Sequence, residues 1–128
     1  MSEKTLHRSV CDYIRLQYPD VLFNSDLAGA TKLTIGQATA MKALRSNRGF
    51  PDIVIYEPRY ASGGAIFHGL FIELKAEGTK LRKKDGQPAT PHITEQYDCI
   101  IKLLEKGYAA VFAIGFDEAK RMIDNYLK

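Results

Sequence analysis

The sequence predicts an α/β domain, a small mixed β-sheet flanked by helices. Three observations predict it. The stretch 66–75, ending in Phe71-Ile72-Glu73-Leu74-Lys75, is apolar on both faces until its last residues, as expected of a central strand covered by helices. A helix-like segment separates it from a second short apolar run, 109–115, so the two can lie parallel through a right-handed crossover. Upstream, Asp52-Ile53-Val54-Ile55-Tyr56 is joined to the same stretch by turn formers, which makes it an antiparallel partner. The expected order is α-β-α-β-β-α-β-α in one domain over residues 1–128, long enough for a real core.

Each element has its own signal. Ser2 is a suitable N-cap for a helix over 3–18, with Leu6, Val10 and Ile14 as its apolar stripe and Pro19 as its stop. Glu3 and His7 fall on the side of that stripe. Residues 21–24 read as a weak edge strand, and 26–34, containing Gly29, as a loop. A second helix is expected over 35–47, carrying Ala38, Met41, Ala43 and Leu44, with Lys32, Lys42, Arg45 and Arg48 around it. Gly49 and Pro51 form a rigid entry to the Asp52 strand. Folding the chain about Ser62-Gly63 sets Asp52 opposite Glu73, with Cβ atoms roughly 5 Å apart; a bulge would shift this by one residue. The face of Glu73 then also carries Phe67, Phe71 and Lys75, while Ile66, His68, Leu70, Ile72 and Leu74 face the other way. His68 reads as structural. Residues 76–89 form a polar, irregular loop with Lys80, Arg82, Lys83 and Lys84, hanging over the end of the strand. The next helix starts after Pro91 or at a Thr94 cap and runs to 106, where Gly107 stops it. Its expected buried stripe is Tyr97, Ile100, Ile101 and Leu104, with Gln96 beside it in the first turn. Asp117 is the expected cap of the last helix, whose inner face is Ala119, Met122, Ile123, Tyr126 and Leu127.

Composition narrows the function classes. The apolar fraction of 45% and charged fraction of 26% are those of an ordinary globular protein. The net charge of +3 suits a nucleic-acid partner without demanding one. Two cysteines, Cys11 and Cys99, form no Cys-x-x-Cys pair, which argues against a zinc knuckle or redox motif. No signal peptide or membrane-spanning run is read, so the expected location is the cytoplasm of a bacterial or phage-infected cell.

The chemistry concentrates in Asp52, Glu73 and Lys75. Two carboxylates at that spacing repel unless a cation lies between them. Hard divalent ions take oxygen from one or two carboxylates and keep several waters. A lysine alongside could orient or deprotonate an attacking water, or neutralise charge on a phosphate. The arrangement therefore suits metal-assisted phosphodiester hydrolysis. The same three residues could instead form a surface ion pair. Likewise, Glu3 could be a favourable acid at a helix N-terminus, and the basic residues merely solvated.

Taken together, Glu3 in the first helix, Gly49-Phe50-Pro51-Asp52, Ile72-Glu73-Leu74-Lys75 and Gln96 in the following helix resemble the PD-(D/E)xK nuclease superfamily, with its restriction-endonuclease-like core. More narrowly, they are similar to the stand-alone VRR-NUC (virus-type replication-repair nuclease) domains of phages and bacteria. The resemblance runs from Glu3 to about Gly115; the loop 76–89 and the helix 35–47 are less typical of it. It implies an endonuclease that uses Mg²⁺ or Mn²⁺ to cut DNA, with Asp52, Glu73 and the backbone carbonyl of Leu74 as metal ligands. Lys75 would position or activate the water, Glu3 would complete the acidic cluster through water, and Gln96 would orient Lys75 or the scissile phosphate. Lys80, Arg82, Lys83, Lys84, Arg45 and Arg48 would bind DNA. Stand-alone members look like Holliday-junction resolvases and tend to be homodimers, so branched DNA and a two-fold pair are expected here. A general duplex endonuclease and a catalytically silent DNA-binding module of the same fold are the alternatives.

Overall fold

The computed structural model describes residues 1–26, 32–60, 63–64 and 66–128. Gly29 of the expected loop and Ser62 of the expected turn lie outside them. The elements are α1 (Glu3–Gln17), β1 (Phe23–Ser25), α2 (Ile35–Ala43), β2 (Ile53–Ile55), β3 (Arg59–Tyr60), β4 (Ile66–Phe67), β5 (Leu70–Lys75), α3 (Pro91–Glu105), β6 (Ala109–Ile114) and α4 (Phe116–Leu127). The expected order holds, with one addition. The chain between β2 and β5 contributes a two-stranded ribbon, β3 with β4, outside the main sheet.

The main sheet runs β1-β2-β5-β6. β1 and β2 pair antiparallel, as do β2 and β5, and β5 and β6 run parallel through α3. The register of β2 on β5 is the one anticipated: Ile53 opposes Ile72, Val54 opposes Phe71 and Ile55 opposes Leu70. Continued by one residue, it sets Asp52 against Glu73. β5 is central, and its even-numbered residues Leu70, Ile72 and Leu74 are buried with Ile53 and Ile55 against α1 and α4. The opposite face packs Phe71 with Cys99, Ile100, Leu103, Tyr108, Ala110 and Phe112 under α3. Each helix thus hides one apolar stripe against the sheet, the condition for a layered α/β domain; α2 is the exception.

Several expectations are corrected. The apolar stretch breaks at His68-Gly69, because Ile66 pairs with Tyr60 in the ribbon and is half exposed. Gly69 sits under the Ile55 carbonyl, where a Cβ would come within 2.9 Å of the oxygen, so the strand can begin there only without a side chain. α2 ends at Ala43, has a Thr34–Gln37 capping box and buries none of its residues; Leu44 is exposed. It is held by its caps rather than by an apolar stripe. α3 is capped by Thr90, and its buried stripe is Ile93, Gln96, Cys99, Ile100 and Leu103. Ile101 and Leu104 are half exposed. Gly115, at φ 83°, occupies the N-cap of α4 in place of Asp117, which lies in the first turn. Residues 76–89 are an ordered excursion. Arg82 bridges to Pro88, Lys83 N–H bonds Gln87 at 2.8 Å, and the Arg82 guanidinium lies 4.9 Å from the Tyr97 ring centre.

Candidate active site

Among the described residues, the buried polar and charged ones are His7, Asp52, Glu73 and Gln96. All four line one cleft at the end of the sheet where β2 begins and β5 ends. Burying such groups is costly unless they are paired, so their convergence is the strongest sign of a purpose-built site. Glu3, Asp26, Arg45, Gly49, Phe50, Lys75 and His92 complete the lining.

The local sequence explains the placement. Odd-numbered positions of β5 point away from the Ile72–Leu74 face, which carries Glu73 and Lys75 into the cleft together. Asp52 stands just before β2, its carbonyl accepting from Asp26 N–H at 2.7 Å. Its side chain turns to β5, where Oδ2 accepts the Leu74 N–H at 2.9 Å. Gly49, at φ 77°, lets the chain lie against α3; a Cβ there would stand 2.6 Å from the Glu95 carbonyl oxygen. That close approach brings Asp52 and Gln96 to one cleft. Glu3 opens α1 and is partly buried, and His7 follows one turn later.

The electrostatics are those of a crowded acidic pair. Burial pushes the Glu73 carboxyl up to about 10, helped by the hydrogen bond and charge of Asp52 and, weakly, by Glu3; Lys75 opposes the rise. For Asp52, burial acts upward too, but hydrogen bonds with His7 and Glu73, the His7 charge and the Leu74 N–H outweigh it and hold the carboxyl below its ordinary value. The two therefore share one proton and one negative charge. Lys75 Nζ lies 3.9 Å from Glu73 Oε2. Gln96 Nε2 lies 3.2 Å from His92 Nε2, while Gln96 Oε1 is buried with no partner among the described residues.

These donors suit a hard divalent cation. They are carboxylate and amide oxygens, one of them without a partner, around a carboxyl pair that only added positive charge would let ionise fully. Leu74 adds its carbonyl: in this strand geometry a residue's N–H and C=O point to the same neighbour, and the Leu74 N–H faces Asp52. Lys75 alternates correctly, its carbonyl accepting from Gly115 N–H on the β6 side. Among the described residues no three His, Cys, Asp or Glu side chains converge into a closed metal cage. An ion of the Mg²⁺ type needs none, since it keeps several waters.

Of the residues singled out in the sequence, Glu3, Asp52, Glu73, Lys75, Gln96 and Arg45 line the cleft. Arg45 pairs with Asp26 at its rim. Arg48 lies one groove away, 3.9 Å from Glu95. Lys80, Arg82, Lys83 and Lys84 do not line the cleft; Lys83 borders a separate groove with Glu95. Sequence reasoning leaves His7 and His92 unassigned. His7 is legible as a histidine on the apolar side of α1, one turn after Glu3. His92 carries no signal beyond its nearness to Gln96.

Comparison with known proteins bears on the fold. No family model matches the sequence, and no curated protein matches it. Among solved structures, the chain is similar to one described as a VRR_NUC domain protein, at 25% sequence identity and a TM-score of 0.68. The match covers 99% of this chain and 88% of that one. The small mixed sheet flanked by helices is thus a fold shared with a VRR_NUC domain protein over almost its whole length. No described helix is long and apolar enough to cross a membrane.

Proposed function

We propose that the chain is a Mg²⁺- or Mn²⁺-dependent DNA endonuclease, selective for branched DNA and working as a homodimer. The observation that carries the reading is the meeting of Asp52 and Glu73, both buried, from neighbouring strands, with Lys75 against Glu73. The VRR_NUC structural neighbour supports a nuclease; burial of the acids, and a Gln96 oxygen with no partner among the described residues, speak against a mere surface ion pair. A bound divalent cation would supply Lewis-acid polarisation of the phosphate and a more acidic water. Asp52, Glu73 and the Leu74 carbonyl would hold that cation, with Glu3 reaching it through water. Lys75 would keep the attacking water beside the phosphorus and take part in its deprotonation. Gln96 Oε1, an acceptor, would bind the water or the Lys75 ammonium; a phosphate oxygen offers it no proton. A two-fold pair of such sites matches the symmetry of a four-way junction.

The test is a labelled four-way junction and a plain duplex of equal length, each incubated with Mg²⁺ or Mn²⁺. Paired cuts at symmetric positions of the junction, sparing the duplex, are the expected result. Equal cutting of both substrates replaces branch selectivity with general endonuclease activity. Binding without cutting by pure protein leaves a silent DNA-binding module.

A further inference from the structure

We infer that His7 is a positioning residue that aims Asp52, presenting Oδ1 to the cation, and that Ser25 on the edge strand fixes the His7 ring. The inference rests on the metal-binding reading above and deepens it. His7 is 2% exposed, and both of its ring nitrogens have partners. Nε2 lies 3.4 Å from Asp52 Oδ2, and Nδ1 lies 3.4 Å from Ser25 Oγ. The Leu74 N–H donates to the same Oδ2 at 2.9 Å. Two donors thus converge on Oδ2. Oδ1 takes part in neither contact and is the oxygen left for a cation.

The two contacts set the ring's roles. Asp52 accepts, so Nε2 carries hydrogen; Nδ1 accepts from the Ser25 hydroxyl when the ring is neutral and donates to it when the ring is charged. A carboxylate with one oxygen pinned by a backbone amide alone can still swing about its last torsion. A second donor from a different element removes that freedom, as outer partners of metal ligands commonly do. The three elements involved are α1, β1 and β5, which meet only in the folded chain. His7 also stands among Leu6, Val10 and Ile14 on the buried side of α1, where an aliphatic residue would pack at lower cost. A polar ring there needs a reason beyond packing, and the Asp52 contact supplies one.

The test is Mn²⁺ titration calorimetry on the full chain without DNA, with thermal melting monitored by circular dichroism. His7→Ala is expected to lower Mn²⁺ affinity by about 10–100-fold. His7→Gln, whose amide N–H can reach the Nε2 position, should recover all but a few-fold of that loss; His7→Asn, which is shorter, should not. Ser25→Ala retains His7 but frees its ring from the edge strand, and should cost roughly two- to tenfold, the loss of one neutral hydrogen bond. Should His7→Ala melt below the working temperature, the Gln-against-Asn comparison and Ser25→Ala carry the test. Wild-type Mn²⁺ affinity in every folded variant would overturn the inference and leave the proposed function standing. Failure of the wild-type chain to bind Mn²⁺ would overturn both.

Discussion

Asp52 stays ionised in a setting whose burial resists ionisation, helped first by the His7 hydrogen bond and then by Glu73, which holds the shared proton. Adding a divalent cation must expel that proton, so Mn²⁺ affinity should rise with pH through the neutral range, with proton release visible as a buffer-dependent heat. A pH-independent affinity would mean that the two carboxyls do not bind the ion together. Asp52→Asn should weaken Mn²⁺ binding by more than about a hundredfold, beyond the roughly 10–100-fold that outer partners of a metal ion usually contribute. Unchanged affinity would remove Asp52 from the ligand set. Glu73 also makes a stability statement. Its carboxyl is raised on folding, so its contribution is fully present below the unfolded carboxyl's ordinary range and is lost as pH climbs toward the folded value. At neutral pH without metal, Glu73→Gln should therefore raise the melting temperature, by roughly 2–5 °C for about 1 kcal/mol, while cleavage disappears. Lys75→Ala should reduce cleavage at least about a hundredfold yet leave Mn²⁺ affinity and the melt nearly unchanged; full activity would remove Lys75 from its role.

Individual elements show where sequence reading succeeds and where it stops. The β2–β5 register is legible because Ile53, Ile55, Ile72 and Leu74 must share one buried face and the acids Asp52 and Glu73 the other, so a one-residue slip would bury Glu73 among Ile72's neighbours. The stripe of α3 is harder to read because apolar residues occupy both flanks of the helix, and Gln96 does not count as a buried position on pattern alone. A polar residue in the centre of a buried stripe is where site chemistry overrides packing. α2 is expected to carry an apolar face, yet none of its residues is buried, and periodicity alone cannot report what a helix leaves uncovered. The polar part of the α1–α4 contact is invisible in the sequence for another reason: its groups lie far apart along the chain. Tyr13 and Tyr18 both donate to Asp124 Oδ1, at 2.6 and 2.5 Å. Those two hydrogen bonds hold the Asp124 carboxyl below its ordinary value. A lowered carboxyl stabilises the fold above the unfolded value and ceases to as pH falls through the folded one. Tyr18→Phe should cost about 1 kcal/mol at neutral pH and lose its effect in acid, which chemical denaturation at several pH values would show. An equal cost at every pH would mean that the hydroxyl contributes through packing alone.

Across the whole molecule, the net charge of +3 gives little direction by itself, and direction comes from where the cations stand. Two grooves leave the region of Glu95. One is lined by Lys42, Arg45 and Arg48 and shares Arg45, Gly49 and His92 with the acidic cleft. The other is bordered by Lys83, Gln87 and Thr94 and touches no cleft residue. On the proposed reading, a strand whose phosphate sat at Asp52 and Glu73 would meet the Arg45 side first and the Lys83 side, which shares no residue with the cleft, farther along. Arg45→Gln with Arg48→Gln should weaken binding of every DNA and flatten the slope of log affinity against log salt by up to about two, roughly one for each phosphate no longer neutralised. Lys83→Gln with Lys84→Gln should do the same for a four-way junction with long arms and flatten the slope less for a duplex of about one helical turn, which brings fewer phosphates to the second groove. A salt slope that stays put for the junction would show that the 76–89 excursion is only a solvated face. A slope that flattens equally for the short duplex would place the cut strand along that excursion rather than along α2.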